Sequence, residues 1–357
     1  MRGRLCVLLA LVLLLSGCSW TEGSYVSVTP HQVRPVQTAE GEIRPVANYT
    51  ELRSALVGMI DGGETKGLFS LTNYPREQVQ RDVERAVEYA RMTYPVGAYA
   101  VERISYDVGT GLGTRALSVD IVYRRTREQI GSIHSVRWAS GAQGAVEDAL
   151  DEAAGTLVLK VAGYQEMDFS EMVRSYAERN PDRVMETPGV TVKVFPEDRG
   201  ETRVVELTFH YRTDRHTMRT MREQVQPVFS SATLYVTGQA DDRTKFQQLH
   251  TFLTERFTYT YENTVTPAWS LLCRGVGDSR AFSLVYAAMC SRIGLEAEFI
   301  SGTRAGEKHH WNLVRIDGAW YHLDLLAFPQ FRPMTDAEMT DYDWDREAYP
   351  AATGIAE

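Results

Sequence analysis

The dipeptide Asp317-Gly318 separates two runs rich in aromatic and apolar residues, 309–316 and 319–326. Asp-Gly readily takes the positive-φ conformation of a two-residue hairpin turn, so this stretch predicts an antiparallel hairpin. A two-residue turn sets the register: Ile316 faces Ala319, and Trp311 comes opposite Asp324. Side chains alternate between faces along a strand. His309, two residues before Trp311, therefore shares its face and lies diagonal to Asp324, whereas His310 points the other way. The register selects His309 as the partner of Asp324; a bulge would exchange the two histidines.

The residues before the hairpin read as helix, loop, helix and strand. Phe246, Leu249, Leu253 and Phe257 place one apolar face on a helix over 244–257. Residues 258–261 are extended. A loop with two glycines, Gly275 and Gly277, leads through Asp278 to Ser279. Phe282, Val285, Met289 and Ile293 then recur at helical spacing over 280–293, and Gly294 stops the helix. Ser279 is thus expected at the N-terminus of a buried helix, and 295–301 is expected as a strand.

Taken together, Gly275, Gly277, Phe282, Ser283, Gly294 and Leu295, followed by His309, Trp311, Asn312, Val314, Gly318, Trp320, Tyr321 and Asp324, resemble the pattern of the transglutaminase-like (papain-like) superfamily over residues 243–330. The resemblance implies a Cys-His-Asp triad. The cysteine opens a helix whose dipole favours thiolate, the histidine moves a proton, and the aspartate orients the histidine. His309 and Asp324 match that pattern, but Ser279 stands at the cysteine position. Gly277, Asp278, Trp311, Asn312, Trp320 and His322 are the residues expected to line the cleft.

A serine changes the chemistry. A thiol starts from a pKa of about 8.5, close enough to neutral for a helix N-terminus to matter. The same field of about 1 kcal/mol cannot ionise a hydroxyl. Two functions are compatible with this. One is a catalytically degenerate domain kept for binding peptide or cell-wall material. The other is an amide or ester hydrolase, or an acyl transferase, using Ser279, His309 and Asp324. Cys273, six positions earlier, is poorly placed as a substitute nucleophile. Gly277-Asp278-Ser279 also spells the block of GDSL-type esterases, but none of the eight histidines has an aspartate three residues before it. His309, His310, His322 and Asp324 form a conceivable metal set. Neither a metal nor a cofactor is expected.

The chain begins with Arg2 and Arg4, then an apolar run over 5–15 that is too short to span a bilayer, then Leu15-Ser16-Gly17-Cys18. This layout resembles a bacterial lipoprotein signal. Residues 1–17 are expected to be cleaved and Cys18 to carry lipid, anchoring the protein outside the cytoplasm at the cell membrane. Removing Arg2 and Arg4 lowers the formal charge by two, from −9 to −11. An acidic chain without a cluster of Lys or Arg argues against nucleic acid as a partner. The expected partners are membrane lipid through Cys18 and a peptide, protein or cell-wall ligand. Once Cys6 leaves and Cys18 is lipidated, Cys273 and Cys290 remain, which is no disulfide framework.

Residues 18–48, with Pro30, Pro35 and Pro45 among Ser, Thr and Gln, read as a tether. Between 49 and 240 the chain repeats itself at a shift of 88. Gly67 falls on Gly155, Leu71 on Leu159, Thr114-Arg115 on Thr202-Arg203, and Tyr123-Arg124 on Tyr211-Arg212. Each copy reads as strand, helix and two strands, with period-2 alternation such as Leu117, Val119, Ile121 and Tyr123. A helical stretch is expected to close each copy, over 126–152 and 214–226. The expected fold class is α+β: two tandem small α+β repeat modules, 49–150 and 151–240, followed by a transglutaminase-like domain with its C-terminal tail over 241–357.

Overall fold

The structure is a computed structural model that describes residues 43–111, 114–198 and 200–354. The expected signal peptide, Cys18 and most of the expected tether lie outside the described residues. The fold is mixed α/β, with three separate cores in sequence order and a smaller fourth at the C-terminal end.

The first core is built from β1 (Arg44–Pro45), α1 (Tyr49–Asp61), β2 (Lys66–Ser70), α2 (Val79–Glu88), α3 (Pro95–Ala100), β3 (Val101–Gly111) and β4 (Thr114–Tyr123). Its sheet runs β1-β2-β4-β3. The end of the expected tether is part of this fold. Arg44 and Pro45 pair with β2, Val46 is buried, and the Asn48 side chain caps α1 by accepting from Glu51 N at 3.0 Å.

After the short α4 (Arg127–Gly131), the second core contains β5 (His134–Val136), α5 (Ala139–Asp151), β6 (Thr156–Ala162), α6 (Phe169–Arg179), β7 (Gly189–Phe195) and β8 (Thr202–His210). Its sheet runs β5-β6-β8-β7. In both sheets the first pair is parallel and the other two are antiparallel. In β6 the alternating Leu157, Leu159 and Val161 turn inward against the helices, as period 2 requires.

The helices expected to close each copy instead open the next core. The stretch 126–152 is α4, β5 and α5, and α5 packs Ala142, Val146 and Leu150 against Leu159 and Leu207 of the second sheet. Likewise α7 (Arg215–Tyr235) packs Val225 and Phe229 with Phe246, Phe282 and Val285. The apolar faces of α5 and α7 are thus covered by the elements that follow them rather than by those before. The reason is physical: an internal period sets spacing, not phase, and a helix is assigned by the sheet that covers its apolar face. The units also touch. Val204 of β8 is buried in the first core, Arg125 pairs with Glu206 at 2.7 Å, and Arg292 pairs with Asp182.

The third unit continues with α8 (Asp242–Arg256), β9 (Thr258–Tyr259), the short α9 (Pro267–Trp269), β10 (Val276–Gly277), α10 (Ser279–Arg292), β11 (Ala297–Arg304), β12 (Glu307–Ile316), β13 (Ala319–Leu323) and β14 (Tyr342–Asp343). The antiparallel sheet runs β13-β12-β11-β14. The β12–β13 turn is Asp317-Gly318, both with positive φ, and Ile316 pairs with Ala319. Helix α10 is apolar all round and buried along most of its length, as a central helix must be. It packs on the sheet face that carries Val314, Ile316 and Leu323. The opposite face, with Ile300, Trp311 and Leu313, is covered by Met334, Met339 and Ala352 of the C-terminal segment. Residues 335–339 form a hydrogen-bonded turn, with Glu338 N donating to Thr335 O at 3.0 Å. Cys273 is exposed and Cys290 buried, and both are free thiols. Among the described residues, no helix is long and apolar enough to cross a membrane.

Candidate functional site

Ser279 occupies the first turn of α10. Asp278 caps that helix, its carboxylate accepting from Ala281 N at 2.9 Å. The strand before it, β10, lies parallel to β9 and brings Gly277 against the helix. A Cβ on Gly277 would come within 2.8 Å of the Ala281 Cβ, so glycine is required for this approach. The Ser279 side chain is buried, with 7% of the residue exposed. Its hydroxyl bonds to a histidine, but that histidine is His310: Ser279 Oγ lies 3.2 Å from His310 Nδ1.

His310 is a poor base in this position. It is buried, and Lys308, Arg280 and His309 add positive charge around it. Together, burial first, these push its pKa down to about 3. Its ring stacks on Phe299 at 5.3 Å. Among the described residues, no carboxylate bonds to it.

His309 carries the carboxylate. Its Nε2 lies 2.7 Å from Asp324 Oδ2, on the opposite face of β12 from His310. Asp324 is 2% exposed and fully engaged. Tyr342 Oη donates to Oδ2 at 2.8 Å, Leu326 N donates to Oδ1 at 2.9 Å, and Arg304 Nη1 lies 3.5 Å from Oδ2. Burial pushes the carboxyl up, but the His309, Leu326 and Tyr342 contacts outweigh it and leave it below the usual range. Burial and the neighbouring Asp324 raise the Tyr342 hydroxyl, so it stays a donor.

The structure thus joins His309 to Asp324, as the hairpin register predicts, and joins Ser279 to the other histidine. The three residues expected to act together are not linked through one chain of hydrogen bonds. The hairpin register fixes which residues pair, not which face α10 covers. Asn312 settles that face. Its amide donates to Ser283 O of α10 at 2.9 Å and to Glu298 O at 3.2 Å.

Several residues expected to line the cleft do not. Trp311, Asn312 and His322 are fully buried. Trp311 Nε1 donates to His322 Nδ1 at 3.0 Å, and His322 Nε2 lies 2.8 Å from Asp336 Oδ1. Both nitrogens of His322 are occupied, beneath the edge of Trp344 at 4.7 Å. Trp320 is half-buried against the same cluster. Trp311, Trp320 and His322 lie on the His309 face, most of which the C-terminal segment covers, and Asn312 lies on the opposite face under α10. Gly277 and Asp278 shape the entrance to α10 from beneath. Among the described residues, no group of three or more His, Cys, Asp or Glu side chains is placed to hold a metal ion.

The open part of the site is a cleft of ≈ 620 Å³ lined by Tyr259, Tyr261, Arg304, Glu307, Lys308, His309 and Leu326. Tyr261 is 85% exposed and Tyr259 52%. Sequence reasoning missed Tyr342 and Arg304. Gly302 was their one local signal: a Cβ there would meet Asp343 O at 2.3 Å and Trp311 at 2.7 Å, so this glycine lets β14 and the indole close on β11.

Residues 231–325 match the family profile described as the transglutaminase-like superfamily. Three solved structures are similar at low levels. One is a TGase, 11% identical with a TM-score of 0.28, covering 55% of this chain and 59% of its own. A second is a proposed cysteine protease from Cytophaga hutchinsonii, 13% identical with a TM-score of 0.26, covering 44% and 73%. A third is a proposed protease from Parabacteroides distasonis, 8% identical with a TM-score of 0.24, covering 72% and 39%. The chain thus spans about three-fifths of the TGase it matches. No curated protein matches it.

Proposed function

We propose that the transglutaminase-like domain at residues 231–325 is catalytically degenerate and serves to bind peptide or cell-wall material. One observation carries this reading. The hydroxyl at the nucleophile position bonds to His310, while the histidine with a carboxylate partner is His309, on the other face of the strand. To act as general base, His310 would have to become imidazolium beside Lys308 and Arg280. A pKa near 3 in place of 6.5 makes that costlier than for an ordinary histidine by roughly 5 kcal/mol. The dipole at the α10 N-terminus does not compensate, because it cannot ionise a hydroxyl. The exposed Tyr259 and Tyr261, beside Arg304 and Lys308, supply what a binding cleft needs: aromatic faces and charged donors.

The rest of the chain completes the proposal. The N-terminal sequence supports cleavage before Cys18 and a lipid anchor outside the cytoplasm. The two sheet units share strand order and direction, which supports descent from one repeated module. Their contacts with each other and with the third unit support a stiff stalk. Labelling with a palmitate analogue, lost in Cys18→Ser, checks the anchor.

A fluorophosphonate probe tests the degenerate reading. No phosphonylation of Ser279, the displacement of fluoride by its hydroxyl, is expected, and Ser279→Cys is expected to remain without transamidase or protease activity. Phosphonylation of Ser279 that disappears in His309→Ala would overturn it and establish the alternative, an amide or ester hydrolase or acyl transferase using Ser279, His309 and Asp324.

A further inference from the structure

The two sheet units supply an internal comparison. In each, the helix ahead of the second strand ends in an aspartate, Asp61 on α1 and Asp151 on α5. The chain then turns through a residue with positive φ, Gly63 at 62° and Ala153 at 49°. A backbone hydrogen bond of 2.8 Å closes both turns, from Glu64 N to Met59 O and from Ala154 N to Ala149 O. A tyrosine at the end of the last strand approaches each turn, Tyr123 in the first unit and Tyr211 in the second. The Tyr123 hydroxyl donates to Glu64 O at 2.9 Å and lies 3.3 Å from Met59 O. The Tyr211 hydroxyl is buried and has no hydrogen-bond partner. Beside it, between the end of α5 and the first turns of α7, lies a cavity of ≈ 320 Å³. A buried hydroxyl without a partner is a standing free-energy cost that a bound group would remove.

The guanidinium groups around this cavity have donors to spare, whereas both carboxylate oxygens of Asp151 and of Glu186 are engaged. Asp151 already takes Arg183 at 3.0 Å and the Tyr176 hydroxyl at 2.8 Å. Glu186, 3% exposed, accepts from Arg212 N at 2.7 Å and Thr213 N at 2.9 Å. Glu223 pairs with Arg219 at 3.2 Å. Each guanidinium offers five N–H donors. Arg222 gives one to Asp151 O, and Arg215 reaches Glu152 at 3.6 Å. Burial and the Glu186 carboxylate raise the pKa of Tyr211, so its hydroxyl remains a donor. Beneath these groups the floor is apolar, with Leu150, Val184 and Met218 buried.

We propose that this cavity binds a small carboxylate borne on a short apolar residue, such as the C-terminal end of a short peptide, with Tyr211 Oη, Arg215 and Arg222 as its donors. The site lies between the second unit and the first turns of α7 and is separate from the His309 cleft. Calorimetric titration of the full-length chain in detergent micelles tests it, with the dipeptide Ala-Ala as probe. Ala-Ala amide lacks the carboxylate, and inorganic phosphate is an anion without the apolar part. Saturable binding of the dipeptide is expected, with both controls weaker. Tyr211→Phe should weaken it by about tenfold, and Tyr123→Phe should leave it unchanged. Arg222→Lys, which keeps the charge but loses the planar fork, should also weaken it. Absence of saturable heat up to about 10 mM dipeptide would overturn the proposal and leave a water-filled cavity. Equal binding of the amide or of phosphate, or wild-type affinity in Tyr211→Phe, would overturn it as well.

Discussion

The two faces of β12 hold adjacent histidines in opposite circumstances. His309 shares its face with Trp311 and Leu313, under the C-terminal segment, and has a buried carboxylate to hold it. His310 shares its face with Asn312 and Val314, under α10, and has a serine hydroxyl, an aromatic stack and cations around it. One peptide step along a strand therefore separates an imidazole kept near a negative charge from one kept away from it. The comparison shows that a catalytic triad depends on which face the nucleophile's helix covers as much as on having the right residues in order.

The largest effect should come from the His309 face. Trp311 is fully buried and touches Tyr342 at 5.1 Å and Trp344 at 5.9 Å. Trp311→Ala removes the centre of that cluster, and urea denaturation should show a loss of about 3–5 kcal/mol. A loss under 1 kcal/mol would mean that the C-terminal segment does not seal this face.

The His310 face should give the clearest pH signature. The folded pKa, about 3, lies below the unfolded value, so the neutral form is the one that folding favours. The associated stability is fully present above about pH 6.5 and is lost as pH falls toward 3. Between pH 7 and pH 5 the loss should be about 2 kcal/mol. His310→Gln should flatten this part of the stability curve. If the curve keeps its slope, the histidine is not held neutral by its surroundings and the contrast between the faces weakens.

Much of this contrast was legible in the sequence. Asp317-Gly318 set the register, the register joined His309 to Asp324, and the glycine loop placed Ser279 at the start of α10. The choice of face was not legible. Both faces of the hairpin are apolar, with Val314 and Ile316 on one and Trp311 and Leu313 on the other, so alternation alone does not say which one receives the helix. Nor was the cover from Tyr342 and Trp344 legible, because a segment with almost no regular structure has no period to read. The packing partner of α5 was hidden for a related reason. The apolar stripe of α5 is equally compatible with the sheet before it and the sheet after it until packing is seen.

Tyr342 offers a smaller test on the His309 face. Its hydroxyl is one of the donors that keep Asp324 below the usual carboxylate range. A depressed folded pKa gives stability that is present above the unfolded value of about 3.9 and lost as pH falls through the folded one. Tyr342→Phe should therefore cost about 1.5 kcal/mol at neutral pH. It should also move Asp324 back toward its ordinary value, so the acid limb becomes shallower. A variant as stable as the parent, with an unchanged acid limb, would show that His309 and the Leu326 amide suffice.

The smallest effect belongs to Asp278, and it bears on the chemistry open to residue 279 at the start of α10. Its carboxylate caps the helix through Ala281 N at 2.9 Å. If capping is its whole contribution, Asp278→Ala should cost about 1 kcal/mol, and Asp278→Asn, an equally good cap, should restore nearly all of it. If Asn restores only half, the negative charge itself interacts with the helix N-terminus, an effect of roughly 0.3–1 kcal/mol. The second outcome would mean that the entrance to α10 keeps a carboxylate that opposes an anion forming at residue 279. In that case Ser279→Cys together with Asp278→Asn should show a lower thiol pKa by iodoacetamide titration than Ser279→Cys alone. An equal pKa in both would place Asp278 on the structural side of the site, with the buried Asn312 contacts that hold α10 to β12.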